Sequence, residues 1–179
     1  MIITISGKPG SGKSTVARLL AKRLNVPHFS AGGFMRDIAR QRRLDVTELA
    51  RRAESDLSIN ALVDERTIEL SHHALSFVMD GRMAWRFIPS GVKVLLVVSE
   101  KEASRRLRER EPKRFKSLAA ALAEVRARTS CERAQFKAQY GVDFLAKKNY
   151  DVVIDTTERS AEDVVALILE KMKSKEKKD

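Results

Sequence analysis

The sequence contains a single cysteine, Cys131, among 179 residues. A lone thiol excludes an internal disulfide framework and a cysteine-based zinc site, and it suits a reducing compartment. Cys131 itself reads as a small, partly buried helix residue. Long apolar runs are missing too: no stretch approaches the roughly 18 to 20 consecutive apolar residues that cross a bilayer. The apolar start at Met1 to Ile5 runs straight into a glycine loop without a signal-peptide cleavage pattern, so a cytoplasmic protein with no membrane partner is expected. Aromatic residues make up only 6%, too few for the interleaved stacking platform of a single-strand nucleic-acid binder. There is no repeat, no low-complexity tract and no interdomain linker.

What is abundant is core-forming and charged material, 43% hydrophobic and 33% charged. That balance fits one compact domain over residues 1–179. The net charge is +11, which attracts polyanions in general and does not choose among nucleotides, RNA and acidic surfaces. Part of the excess lies in the lysine-rich tail 171–179, which reads as a solvated helix end. The rest is arginine within the body of the chain, whose planar fork pairs bidentately with phosphate.

Hydrophobic periodicity organises the chain as alternating strands and helices. Strands are expected over 1–6, 27–29, 75–80, 92–99 and 150–155. Helices are expected over 14–24, 34–43, 46–53, 59–72, 100–111, 117–140 and 161–173. The alternation predicts an α/β fold, a doubly wound sheet of about five parallel strands with helices on both faces. His72 and His73 end a charged helix, with no triad or metal spacing around them.

Gly7-Lys8-Pro9-Gly10-Ser11-Gly12-Lys13-Ser14 matches G-x-x-x-x-G-K-[ST] and falls between the first predicted strand and the first predicted helix. This is the P-loop of the nucleoside triphosphatases and kinases. The glycines permit a tight turn whose N–H groups point at phosphate oxygens, and the helix N-terminus adds partial positive charge. Lys13 is expected to bridge the β and γ phosphates of ATP. Ser14 offers a hydroxyl to a magnesium ion held by those phosphates, and Thr15 extends the same helix start. A guanine-reading Asn-Lys-x-Asp is absent, and 179 residues leave no room for the extra domains of a motor, which favours a small-molecule kinase.

Asp80 ends a predicted strand in Asp80-Gly81-Arg82, and carboxyl ends of strands form the ligand crevice of doubly wound sheets. Asp80 and Arg82 are therefore expected to face the phosphates. Asp80 could hold a magnesium-bound water or the acceptor, or could serve only as an Asp-Gly turn. Trp85 and Phe87 could flank an acceptor base or simply pack. Arg106 and Arg110, four residues apart on one helix, share a face and could reach one ligand.

Ser30-Ala31-Gly32-Gly33-Phe34-Met35-Arg36 reads as a small flexible turn with an arginine one turn into the following helix. Together with the P-loop, Asp80-Gly81-Arg82 and Asp151-Val152-Val153-Ile154-Asp155-Thr156, it resembles the short archaeal-type cytidylate kinases of the nucleoside monophosphate kinase family, over nearly the whole chain. The resemblance implies phosphoryl transfer from Mg-ATP to CMP or dCMP by a monomer. It implies an acceptor-binding helical region over about 30–73 and a lid over about 105–140. Arg36 and Arg82 would hold the acceptor phosphate, with Gly32 in the acceptor turn and Ser30 near the base or ribose. Arg106, Arg110 and Arg128 would join Lys13 as catalytic groups. Gln135 departs from the pattern, standing where the related kinases carry an arginine. Rival readings are a kinase for another small acceptor, such as adenylate or shikimate, and an RNA-associated P-loop ATPase, whose mark would be salt-sensitive RNA binding.

Overall fold

In the computed structural model, the described residues are 1–53 and 55–176, with nothing described of the side chains of residues 175 and 176. The end of the lysine-rich tail, 177–179, lies outside the described residues. Five strands, β1 (Ile2–Gly7), β2 (His28–Ser30), β3 (Phe77–Asp80), β4 (Val92–Val97) and β5 (Val152–Asp155), form one parallel sheet in the order β2-β3-β1-β4-β5. The most apolar strands sit in the middle because both faces of β1, β3 and β4 are covered. The chain leaves central β1 toward β2 and β3 on one side, then crosses to β4 and β5 on the other. A crevice opens at this reversal, at the carboxyl end of β1.

Among the described residues eight α-helices connect and cover the sheet: α1 (Lys13–Leu24), α2 (Ala31–Gln41), α3 (Val46–Arg52), α4 (Leu57–His73), α5 (Ala84–Phe87), α6 (Glu100–Arg110), α7 (Leu118–Tyr140) and α8 (Ala161–Glu176). Ile3, Ile5, Val78 and Val94 pack against Val16 and Leu20 of α1 and Val164 and Ile168 of α8. The opposite pleat of β3, Phe77 and Met79, packs with Ala84 of α5 and Ile88. Two satellite cores complete the molecule, one among α2, α3 and α4, the other between α6 and α7 around Leu107, Phe115 and Val125.

The observed elements depart from expectation in several places. Helix α2 starts at Ala31, because the Ser30 hydroxyl accepts a hydrogen bond from Gly33 N at 2.8 Å and caps it. The supposed flexible turn at Gly32 and Gly33 is therefore the first helical turn. Strand β3 starts at Phe77, and Leu75 lies outside it, 93% exposed. The short α5 was not foreseen. Cys131 is exposed on α7 rather than partly buried. Among the described residues no helix is long and apolar enough to cross a membrane.

Candidate active site

The P-loop wraps the carboxyl end of β1. Gly10 and Gly12 have φ of +78° and +85°, a region that disfavours side chains, and a Cβ on Gly10 would lie 2.6 Å from Ala103 O. A Cβ on Gly7 would stand 2.5 Å from both Leu96 O and Ser11 Oγ. Ser11 Oγ is buried and has no hydrogen-bond partner among the described residues. The loop is thus a closely packed cradle of backbone N–H groups opening onto the N-terminus of α1, suited to an anion.

Lys13 curls over this loop, its Nζ donating to Lys8 O at 3.2 Å. Burial pushes its amine down to about 7; the nearby Arg82 and Arg128 guanidiniums add to this, while the Glu132 and Asp80 carboxylates oppose it. Ser14 Oγ donates to Asp80 Oδ2 at 2.8 Å, and Asp80 Oδ1 lies 2.7 Å from His28 Nε2. Sheet register explains the meeting. Ser30 stands opposite Asp80 and His28 opposite Val78, so all four point to the face where α1 begins. Asp80 is only 5% exposed.

The carboxyl end of β1 also anchors Arg82, since Ser6 Oγ donates to Gly81 O at 2.8 Å and to Arg82 O at 3.2 Å. The Arg82 guanidinium pairs through Nε with Glu132 of α7, and Arg128, one turn earlier, donates to the same carboxylate from its Nε at 2.9 Å. Lys13, Ser14, Asp80, Arg82 and Arg128 are therefore brought together. Two oxygen donors, the Ser14 hydroxyl and the Asp80 carboxylate, lie side by side there, which fits a hard divalent cation sharing its shell with phosphate oxygens and water.

Arg106 takes a different position. Its Nε donates to Glu102 Oε1 at 2.7 Å, and its Nη atoms reach Gly10 O at 3.4 Å, Thr156 Oγ1 at 3.2 Å and Thr156 O at 2.5 Å. Thr156 in turn donates to Ser11 O and Val97 O, both at 3.2 Å, locking the loop to the carboxyl ends of β4 and β5. Ion pairing with Arg105 and Arg106 holds the Glu102 carboxyl down at about 2. Outside Arg106 lies a cleft of about 520 Å³, lined by Gly12, Thr15, Val16, Arg105, Arg106 and the segment 157–161. Its size suits a base and sugar attached to phosphates on the loop.

Other expected site residues are not gathered in. Arg110 pairs with Glu111 at 2.6 Å and faces solvent, so Arg106 and Arg110 do not converge despite sharing a helical face. Arg36 is exposed, standing over Gly32 and Gly33. Ser30 caps α2 beside Asp80. Trp85 and Phe87 serve packing, Trp85 against Tyr150 and Phe87 against Tyr140. Gln135 ties α7 to the end of α3, its Nε2 donating to Ala53 O at 2.6 Å. Sequence reading missed His28, Glu102, Glu132 and Thr156. Glu132, four residues after Arg128, and Glu102, four before Arg106, left a signal, that of a helical ion pair.

A family model described as the cytidylate kinase-like family matches residues 2–158. A cytidylate kinase of Methanothrix thermoacetophila is 39% identical over 156 residues, covering 87% of this chain and 88% of its own length. That of Methanocella arvoryzae is 36% identical over 168 residues, 94% of both chains. Among solved structures, a shikimate kinase from Acinetobacter baumannii superposes with a TM-score of 0.67 at 18% identity, over 97% of this chain and 93% of its own, a likeness of fold alone. With a match spanning most of its length, and relatives above 30% identity over most of theirs, this chain belongs to the cytidylate kinase-like family.

Proposed function

We propose that the protein transfers the γ-phosphoryl group of ATP to a nucleoside monophosphate, CMP or dCMP, giving the nucleoside diphosphate and ADP. One observation carries the reading: Lys13 and Ser14 of the phosphate loop stand beside Asp80, Arg82 and Arg128 at the carboxyl ends of the central strands. A donor phosphate and an acceptor phosphate can meet there. The acceptor base is carried over from the cytidylate kinases among its relatives.

In this reading residues 7–15 cradle the ATP phosphates, through backbone N–H groups at every position but Pro9, and the cleft outside Arg106 takes the adenosine. Lys13 bridges the β and γ phosphates. Arg82 and Arg36 hold the acceptor phosphate, with Ser30 and Gly32 on the acceptor side. An acceptor phosphate oxygen attacks the γ phosphorus, the bond to the β–γ bridging oxygen breaks, and ADP leaves. The nucleophile is already anionic at neutral pH, so no general base is needed. Catalysis rests on positioning and on neutralising charge, for which Lys13, Arg82 and Arg128 are suited. Ser14 and Asp80 would hold Mg²⁺, which supplies charge neutralisation on the phosphates when bound. Residues 30–73 act as the acceptor-binding region and 105–140 as the lid of a single-domain, monomeric, cytoplasmic enzyme.

The test is ADP production from Mg-ATP with CMP, dCMP, UMP, AMP, GMP or no acceptor, with Lys13→Ala as control. Stimulation by CMP or dCMP, lost in the variant, supports the reading. Stimulation by AMP alone moves the base assignment, and stimulation by no monophosphate sinks the kinase.

A further inference from the structure

Glu132 is the only carboxylate on α7 that meets an arginine from the strand ends. Its Oε2 accepts from Arg82 Nε, after β3, and its Oε1 accepts from Arg128 Nε at 2.9 Å, one turn back along α7. Fifty residues separate Arg82 from Glu132, so the contact is a tertiary one. The carboxylate is 14% exposed and Arg82 20%, where ion pairing is less screened than at the surface.

The choice of donor atoms is informative. A guanidinium has five N–H groups, one on Nε and four on its two Nη atoms. Both arginines meet Glu132 through Nε, and among the described residues their Nη groups have no hydrogen-bond partner. Elsewhere Arg105, Arg110 and Arg114 commit Nη atoms to their ion pairs, while exposed Arg52 pairs through Nε alone. Arg82 and Arg128 instead keep the ends that form bidentate contacts with phosphate.

Charge balance gives the same picture. Lys13, Arg82 and Arg128 gather at one place, and Asp80 already engages Ser14 and His28. Without the Glu132 carboxylate, Arg82 and Arg128 would repel each other, and α7 would lose its tie to the strand ends. Two flexible side chains would then have to be ordered at the moment of binding, which weakens it.

We propose that Glu132 is a positioning residue for phosphate recognition, clamping Arg82 and Arg128 by their Nε–H groups so that their Nη ends are preset for an acceptor phosphate. That Arg82 takes the acceptor phosphate belongs to the proposed kinase reading, and extending this contact to Arg128 rests on that reading; the clamp itself does not. Glu132→Gln is nearly isosteric but has one acceptor oxygen where the carboxylate has two, so in this geometry its amide NH₂ faces one of the Nε–H groups. With the acceptor that most stimulates the wild type, kcat should fall about 10- to 100-fold, the range for residues that orient a ligand-binding group, and acceptor KM should rise. The KM for ATP should stay within about twofold, since the adenosine cleft is built around Arg106. Glu132→Asp, which keeps the charge, should recover part of the loss. A merely structural role would lower the melting temperature and leave kcat and acceptor KM unchanged, and that result overturns the clamp. If Glu132→Gln does not fold, Glu132→Ala decides, and wild-type kcat and acceptor KM in that variant overturn it equally. A second measurement is independent of the acceptor: in ¹⁵N-arginine NMR of the whole protein, the Arg82 and Arg128 Nε–H signals should exchange slowly with water in the wild type and rapidly in Glu132→Gln. Equal exchange in both overturns the clamp, whereas a wild type stimulated by no monophosphate overturns the kinase reading alone.

Discussion

Asp80 and Ser14 meet at 2.8 Å, joining the end of β3 to the first turn of α1 across 66 residues of chain. The second Asp80 oxygen is held by His28 at 2.7 Å, so the carboxylate is fixed at both ends. Asp80→Asn removes the charge and keeps the shape. The expected outcome is a loss of roughly 100-fold or more in kcat, with a higher magnesium requirement, as for removal of a group that stabilises transition-state charge. His28→Ala, which only frees the carboxylate to rotate, should cost about tenfold or less. ADP production followed as a function of Mg²⁺ concentration checks both.

Arg106 and Arg110 provide a contrast on one helix. Arg106 ties α6 to Gly10 and Thr156 and borders the nucleotide-sized cleft, whereas Arg110 pairs with Glu111 at the surface. Arg106→Ala should raise the KM for ATP by about tenfold or more, since charge-assisted hydrogen bonds contribute about 1.5–3 kcal/mol each. Arg110→Ala should change kcat and KM by about twofold or less, because exposed ion pairs contribute little. Initial-rate measurements with varied ATP decide it, and equal losses in both variants would show that Arg110 swings in during turnover.

Asp64 of α4 accepts a hydrogen bond from Tyr140 of α7, and burial raises its carboxyl to about 6 despite that bond. An acid whose folded value lies above its unfolded value binds more protons when folded, so it penalises folding as pH rises through the interval from about 4 to 6. Below that interval the penalty is absent; above it the penalty is complete. Asp64→Asn keeps an acceptor for Tyr140 without the charge. It should melt at a higher temperature than the wild type at pH 7.5 and at nearly the same temperature at pH 4. Scanning calorimetry at the two values checks the difference, and a lower melting temperature for the variant at pH 7.5 would contradict it.

How far the sequence speaks can be judged from particular residues. The strand–glycine loop–helix unit was legible because every part of it lies within consecutive residues and each glycine has a local backbone reason. The β/α alternation was legible from apolar runs, and parallel pairing followed from the crossovers. Ser30 was misread as part of a turn because capping depends on one side-chain rotamer, which a pattern of small residues does not reveal. Gln135 was read beside the other α7 side chains as a lid position, yet it reaches the loop between α3 and α4.

The sequence alone determined the phosphate cradle, the doubly wound sheet and the supply of arginine, since local backbone chemistry and hydrophobic period encode all three. Only the tertiary structure decided which arginines face the centre and which face water. Arg82, Arg106 and Arg110 are the same residue type in similarly charged stretches; one pairs with Glu132 across 50 residues, one with Thr156 across another 50, and one with its own neighbour. The physical reason is that an ion pair is set by distance in space, and in a parallel sheet neighbouring strand ends are brought together by crossovers whose length the local pattern does not record.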